Sequence, residues 1–556
     1  MARDPSVHDD GARNRRWIPQ FVWGALLALV GWQLMGVLSH VWQRLQFPYD
    51  LLYWPDDYYL TTLLRIDLGQ KPYGNPSDAN SWIYTPGAPY LGWLLLKPLG
   101  LVRSFFAHKL LSQLWLLLAV YLATRLGLAV MRSEQANAGL RGTRRTLQLA
   151  GLGLGMLLAL AAYMNPIADS LHPTNLELAV LAGSSWAAFK APALSRRWRL
   201  VLWLLLPGLA LCFKQTGAVA VTGSLALVAL ITPGLERRER VWLGLSAAAS
   251  SALVFGVMWL AWGQDFVAWV WAIPSSAGIK AFKLKDFKSG IGVTLYPMFA
   301  LVVLRLFFAI RQRNTAANQA YIRACLPALF YTPLALLALF KALGGPNNLM
   351  VLLYLYSMLG APLLVWRANV GRPQVQVAHS VVLALLCLTI WRPTKRLPVA
   401  ADYAYGEQLC AYLHARQECG ERVYLGRGAA CYLQGNEVPR DRVMSAEDVS
   451  LSAYPLGYAQ RLRGAEYDVV IATQQDLFSP WLKQAQWPAL LEEYSIFGRL
   501  DAGPHGDVWS EGLGELMGPT GFYERKRERG KHSLAAPERC DFVNAPKFVP
   551  RPLPSQ

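Results

Sequence analysis

Charge is scarce in this chain. Asp, Glu, Lys and Arg make up 16% of its 556 residues, where a soluble globular chain carries about 25%. Hydrophobic residues account for 54%, so the composition points to a polytopic membrane protein. Acids are the scarcer sign, 36 against 54 Lys and Arg, which leaves a net charge of +18. Such a surplus can serve nucleic acid or an anionic surface. Here the basic residues sit between apolar runs, where the positive-inside rule puts them, and nucleic acid drops out as a partner. Nucleotide signatures are missing as well. No G-x-G-x-x-G opens a βαβ unit, and there is no GxxxxGK[ST] loop. The seven cysteines show no zinc-ligand spacing, and no internal repeat is present.

What the chain does have is long apolar runs. About 20 apolar residues cross a bilayer as a helix, because every backbone group must then be satisfied within the segment. Runs near 18–43, 105–130, 147–164, 176–190, 200–213, 216–232, 241–262, 293–310, 324–341, 348–366 and 377–392 give about 11 transmembrane helices. The first follows Arg13, Arg15 and Arg16 but lacks a small-x-small cleavage site, so it reads as an uncleaved anchor. Every second loop is basic, from Arg141, Arg144 and Arg145 through Arg196, Arg197 and Arg199 to Arg311 and Arg313. That alternation places the N-terminus in the cytoplasm. It also requires the run at 86–101 to be a surface or re-entrant helix.

The expected organisation follows. Residues 1–17 are a cytoplasmic tail, and 18–392 a transmembrane domain whose first outer loop is 44–104. Past residue 395 the pattern changes. A helix at 404–418, short strands RVYLG (422–426) and DVVIAT (468–473), and a hairpin within 496–510 read as a soluble α/β domain over 395–511, on the outer side. Residues 512–556, with RKRERGK, read as a basic disordered tail. Cys212, Cys325 and Cys387 fall in spans, whereas Cys410, Cys419, Cys431 and Cys540 lie where a disulfide is permitted.

The outer face collects the residues suited to chemistry. Asp56 and Asp57 stand in the long aromatic loop after the first span, WPDDYYL. Either can cap the helix that begins near Tyr58, or act as a general base in a site of low dielectric. The turn NPIADSLHPTN carries Asp169 and His172, a helix cap or contacts to a sugar or acceptor. Lys214 and Lys341 end spans beside Gln215 and beside Asn347 and Asn348. They can snorkel or pair with a phosphate. In IKAFKLKDFKSG, Lys280 and Lys283 alternate with apolar residues, a pattern for gripping anionic headgroups of membrane lipids. Tyr59 and Tyr84 are among the rings that suit sugar stacking. A sugar donor used outside, where nucleotides are lacking, has to arrive on a lipid phosphate.

These residues, in this order, resemble the integral-membrane glycosyltransferases of the GT-C superfamily. That group includes dolichyl-phosphate-mannose protein mannosyltransferases and bacterial lipid A aminoarabinose transferases. The resemblance rests on WPDDYYL, the G-x-x-PY at Gly69–Tyr73, and YTPGAPYL leading into a surface helix. FKQTG and K-x-x-GG-x-NN match less tightly. It implies a GT-C-like helical fold, an isoprenoid-phosphate sugar donor, an acceptor in the envelope (lipid, glycan or protein) and Asp56 or Asp57 as the base of an inverting transfer. The resemblance leaves the cofactor unknown and a divalent metal open. Two departures stand out: Asp-Asp replaces the Asp-Glu of many relatives, and Tyr84 stands where many carry His. A transporter or flippase, with charges along a pathway at mid-span, and a non-catalytic envelope-assembly protein are the alternatives.

Overall fold

The structure, a computed structural model, describes residues 10–52, 54–78, 81–137, 170–276, 290–341, 347–367, 397–435, 437–439, 457–464, 466–472, 494–499 and 521–525, with scattered positions between them. Most of the candidate spans at 147–164 and 377–392 therefore lies outside the described residues.

The other candidate runs all fall in helices. These are α1 (Asp10–Gln46), α4 (Phe105–Asn137), α5 (Thr174–Lys190), α6 (Arg196–Phe213), α7 (Gln215–Ile231), α8 (Arg237–Val267), α9 (Gly290–Arg311), α10 (Ala316–Phe340) and α11 (Asn347–Arg367). Five described helical segments are long and apolar enough to cross a membrane by length and composition: Gly24–Gln46, Phe105–Glu134, Arg237–Ser276, Ala316–Phe340 and Asn348–Val365. The chain is an integral membrane protein. Leucine, phenylalanine and tryptophan lie exposed along these helices, Leu260 at 79% and Phe21 at 78%, as expected where lipid covers them. Prolines inside α6, α9, α10 and α11 are tolerated because neighbouring helices satisfy the freed backbone groups.

α10 sits centrally, packed on α5, α7, α9 and α11, while α4 lies along α5 and α6 along α8. Between α1 and α4 the chain forms α2 (Trp54–Asp67) and α3 (Gly87–Leu96). At ten residues α3 is about 15 Å long, half of a bilayer core of about 30 Å, so it does not cross. A 3₁₀ turn, Lys97–Leu99, follows it and ends at Gly100, whose φ of 67° closes the turn. Gly87 starts α3 where a Cβ would lie 2.3 Å from the backbone oxygen of Cys212. Only glycine lets α3 meet α6 this closely.

Beyond residue 397, α12 (Ala400–Glu418) precedes a four-stranded sheet of β1 (Val423–Leu425), β2 (Val469–Ala472), β3 (Tyr494–Arg499) and β4 (Gly521–Arg525), with α13 (Gly457–Arg463) between β1 and β2. The sheet order is β1-β2-β4-β3; β1 and β2 run parallel, and β4 is antiparallel to both neighbours. One expectation is corrected here. The tail 512–556 does not read as disordered throughout, because Gly521–Arg525 is an inner strand. Its aromatics, Phe522 and Tyr523, favour a pleated strand, but the run of charge that follows masked them in the composition. β3 pairs with this strand; residues 500–510 of the expected hairpin lie outside the described residues. Cys410 and Cys431 form a disulfide, and Cys419 is disulfide-bonded too.

Candidate active site

The site is built from the head of α2. Consecutive helical residues point about 100° apart, so adjacent carboxylates leave the helix in different directions. Asp56 and Asp57 are each 2% exposed. Asp56 Oδ1 accepts the Leu171 N–H at 2.7 Å. Asp57 Oδ1 accepts the N–H groups of Gly428 (3.2 Å) and Ala429 (3.0 Å). The pair, adjacent in sequence, thus ties the first loop to two distant segments.

Asp56 leads directly to the turn ahead of α5. Ser112 Oγ donates to the Ser170 carbonyl, and Asn175 Nδ2 donates to Ser112, so α4 holds this turn in place. His172 Nδ1 accepts the Thr174 N–H at 3.2 Å and lies 2.6 Å from Thr174 Oγ1. A backbone N–H can only donate, so the ring proton sits on Nε2, which points at Tyr84 Oη 3.1 Å away. The Tyr84 ring packs edge-on against His172 and Trp82, at 5.0 and 5.4 Å. Its backbone carbonyl accepts from Tyr73.

Burial holds the His172 imidazole well below its ordinary value, and the Lys214 charge adds to the shift. The sign of its effect on stability follows. Unfolding raises the affinity of the ring for protons, so stability is full above about pH 6.5 and falls as the pH drops from there toward the folded value. His172→Gln flattens that part of the stability profile. Thermal unfolding in detergent between pH 7 and pH 5 checks this; parallel curves for both proteins contradict it.

Lys214 closes the network. It stands between α6 and α7 in extended conformation, φ −162°, ψ 131°. Its ammonium meets Glu177 Oε2 at 3.0 Å and Thr174 Oγ1 at 3.5 Å, with the Tyr84 ring centroid 5.8 Å away. Both partners of the ion pair are buried, at 4% and 1%. Glu177 also accepts from Thr216 Oγ1 at 2.9 Å and Tyr331 Oη at 3.0 Å. A Cβ on Gly217 would come within 3.1 Å of this carboxylate, so the glycine of FKQTG leaves it room. The contacts therefore run from Asp56, through the backbone N–H of Leu171, to the neighbouring His172, and from His172 through Tyr84 and Thr174 to Lys214 and Glu177.

The other sequence candidates fall elsewhere. Tyr59 is packed among α2, α3 and α4, with its hydroxyl 3.1 Å from His108 Nδ1 and 3.4 Å from the Ala88 carbonyl. Its phenol, pushed up by burial, donates to that carbonyl. Gln215 Nε2 ties the carbonyls of Ile83 and Val270 together, each at 3.2 Å. Lys341, half-buried after α10, donates to the Pro274 carbonyl. Asn348 is buried at the head of α11. Asp169, Lys280, Lys283 and the side chain of Asn347 lie outside the described residues. Glu177 and Tyr331 were not singled out from sequence. The signal for Glu177 was available, an acid four residues into the otherwise apolar α5. Among the described residues no three His, Cys, Asp or Glu side chains group as metal ligands.

No family model matches the chain, and no curated protein does. Among solved structures it is similar to ArnT from Cupriavidus metallidurans in the apo state, at 12% identity and a TM-score of 0.48, over 90% of this chain and 98% of that one. ArnT from the same organism bound to undecaprenyl phosphate gives 12% identity and a TM-score of 0.47 over the same shares. An Archaeoglobus fulgidus oligosaccharyltransferase tethered to an acceptor peptide containing the NVT sequon gives 11% and 0.41, over 84% of this chain and 73% of that one.

Proposed function

We propose that the chain is a membrane glycosyltransferase that moves a sugar from an isoprenoid-phosphate donor to an envelope acceptor, with inversion and with Asp56 as the general base. One observation carries the reading. Four stretches far apart in sequence, at 56, 84, 172–177 and 214, bring a carboxylate, a phenol, a neutral imidazole and a cation to one place, the carboxylate joined to the others through the Leu171 N–H next to His172.

The proposed step balances simply. The acceptor O–H bond breaks as its proton passes to the Asp56 carboxylate. The acceptor oxygen bonds to the anomeric carbon, and the bond from that carbon to the phosphate oxygen breaks with its electron pair. An isoprenoid phosphate leaves well without acid assistance, so positive charge near it is the main requirement. Lys214 supplies that charge, with Lys341, Lys280 and Lys283 as further cations of the same face. Tyr84 and His172 contact the sugar or acceptor. Asp57, with both N–H bonds on one oxygen, serves to position the loop.

On this reading residues 18–392 are the membrane domain, with about eleven spans and a cytoplasmic N-terminus, and the α/β unit that starts at 395 extends to include β4. The Cys410–Cys431 disulfide supports an oxidising, outer location for that unit. A transporter would want ion pairs at mid-span. The ion pairs described within the bundle, Glu177–Lys214, Glu134–Arg305 and Arg199–Glu239, lie within about two turns of a helix end.

Mass spectrometry of envelope glycolipids with and without the gene tests the proposal. Loss of one glycosylated species and gain of its unmodified acceptor is expected. An unchanged profile of glycolipids and glycoproteins overturns it.

A further inference from the structure

The acidic loop is held by a segment more than 370 residues away. Three successive N–H groups, from Gly428, Ala429 and Ala430, point at two carboxylates of the first loop. Asp50 takes Ala429 on Oδ2 (2.7 Å) and Ala430 on Oδ1 (3.1 Å), while Asp57 takes Gly428 and Ala429 on Oδ1. These donors open the 3₁₀ turn Ala429–Tyr432, so they are the N–H groups left without partners inside the turn. Gly428 reaches the required geometry with a φ of 120°, a conformation that suits glycine. The turn is fastened on its other side. Cys431 within it is disulfide-bonded to Cys410 of α12, and His414 Nε2 donates to the Cys431 carbonyl at 2.6 Å. α12 itself lies on the first loop, where a Cβ on Gly406 would fall 2.2 Å from the Tyr49 ring.

We infer that the Gly428–Tyr432 turn, locked by the Cys410–Cys431 disulfide, is a positioning element for the acidic loop, so that opening the disulfide loosens Asp50, Asp57 and with them Asp56. Hydrogen bonds to charged groups are the strong ones, and four of them converge on two side chains, one adjacent to the candidate base and one six residues before it. The inference rests on the proposed function only in giving Asp56 its role. The geometry of the loop can be read without any transfer assay.

Amide hydrogen exchange on the full chain in lipid nanodiscs is the test, followed in peptides spanning 425–433 and 47–60. The Cys410→Ser/Cys431→Ser pair raises exchange in both peptides. Asp50→Ala raises it at Ala430 by roughly tenfold or more, and less at Ala429, which keeps its bond to Asp57 Oδ1. Asp50→Asn, with one carbonyl oxygen for two donors, gives part of that rise. Asp57→Asn, whose remaining carbonyl oxygen can keep both of its bonds, gives the least. Coupling is reciprocal, so Asp50→Ala also makes the disulfide easier to reduce, by about 30 mV for each tenfold loosening. The inference is overturned if exchange in 47–60 stays at the wild-type level when the turn is freed, or if the Asp50 variants leave the potential where it was. Where the double cysteine variant does not accumulate, the Asp50 series alone decides. A silent glycolipid profile together with these exchange changes sinks the proposed function and leaves the positioning role standing.

Discussion

Asp56→Asn abolishes transfer while the protein still folds. The two outcomes separate because Asn retains a side-chain oxygen in the same place, so the Leu171 N–H that Asp56 Oδ1 accepts keeps its partner. What Asn loses is basicity. Removing a positioned general base costs roughly 10²–10⁴-fold in rate, and a variant with wild-type expression and thermal midpoint attributes that loss to chemistry. Asp57→Asn behaves differently. Its Oδ1 can still accept from Gly428 and Ala429, and the expected cost is within about tenfold, the scale of one weakened hydrogen bond. The measurement is sugar transfer in membrane fractions, normalised to protein level. Should Asp56→Asn keep full activity while Asp57→Asn loses it, the roles given to the two aspartates exchange. Should both remain fully active, no first-loop carboxylate is the base.

The acidic pair was legible in the sequence because charge is so rare that two adjacent aspartates in an aromatic loop stand out. The helices were legible for the same reason, since apolar length is a signal that few other structures imitate. What holds the pair in place was not. Asp56 and Asp57 bind backbone N–H groups of Leu171, Gly428 and Ala429, and a backbone donor has no side-chain signature. Asp50 went unremarked because its partners are of the same kind. Tyr59, singled out for a ring that suits sugar stacking, and Gln215, singled out beside Lys214, have internal partners that the sequence does not show: His108 for the first, the carbonyls of Ile83 and Val270 for the second. A sequence shows that a side chain can make a hydrogen bond, and only the fold shows whether the partner is internal. Glu177 is the instructive omission. A buried acid in an apolar helix implies a cation close by, and Lys214 was already on the candidate roster for another purpose.

That double purpose sets the second large effect. Lys214→Met leaves Glu177 buried with only the hydroxyls of Thr216 and Tyr331 as described donors, and breaking a buried pair by removing one partner costs about 3–5 kcal/mol. The variant is expected to lose both thermal stability and transfer, which by itself does not say why transfer is lost. Adding Glu177→Gln resolves this. Gln is uncharged, its oxygen can still accept from Thr216 and Tyr331, and no unpaired charge remains in the interior, so the Lys214→Met/Glu177→Gln protein recovers most of the lost stability. Replacing a buried ion pair with neutral groups of similar size is often close to neutral. If Lys214 stabilises the departing phosphate, the double variant is as inactive as the single one despite its restored thermal midpoint, because the charge that acts in the transition state is still missing. If Lys214 serves only to neutralise Glu177, stability and transfer return together, and the cation for the phosphate must be sought among Lys341, Lys280 and Lys283.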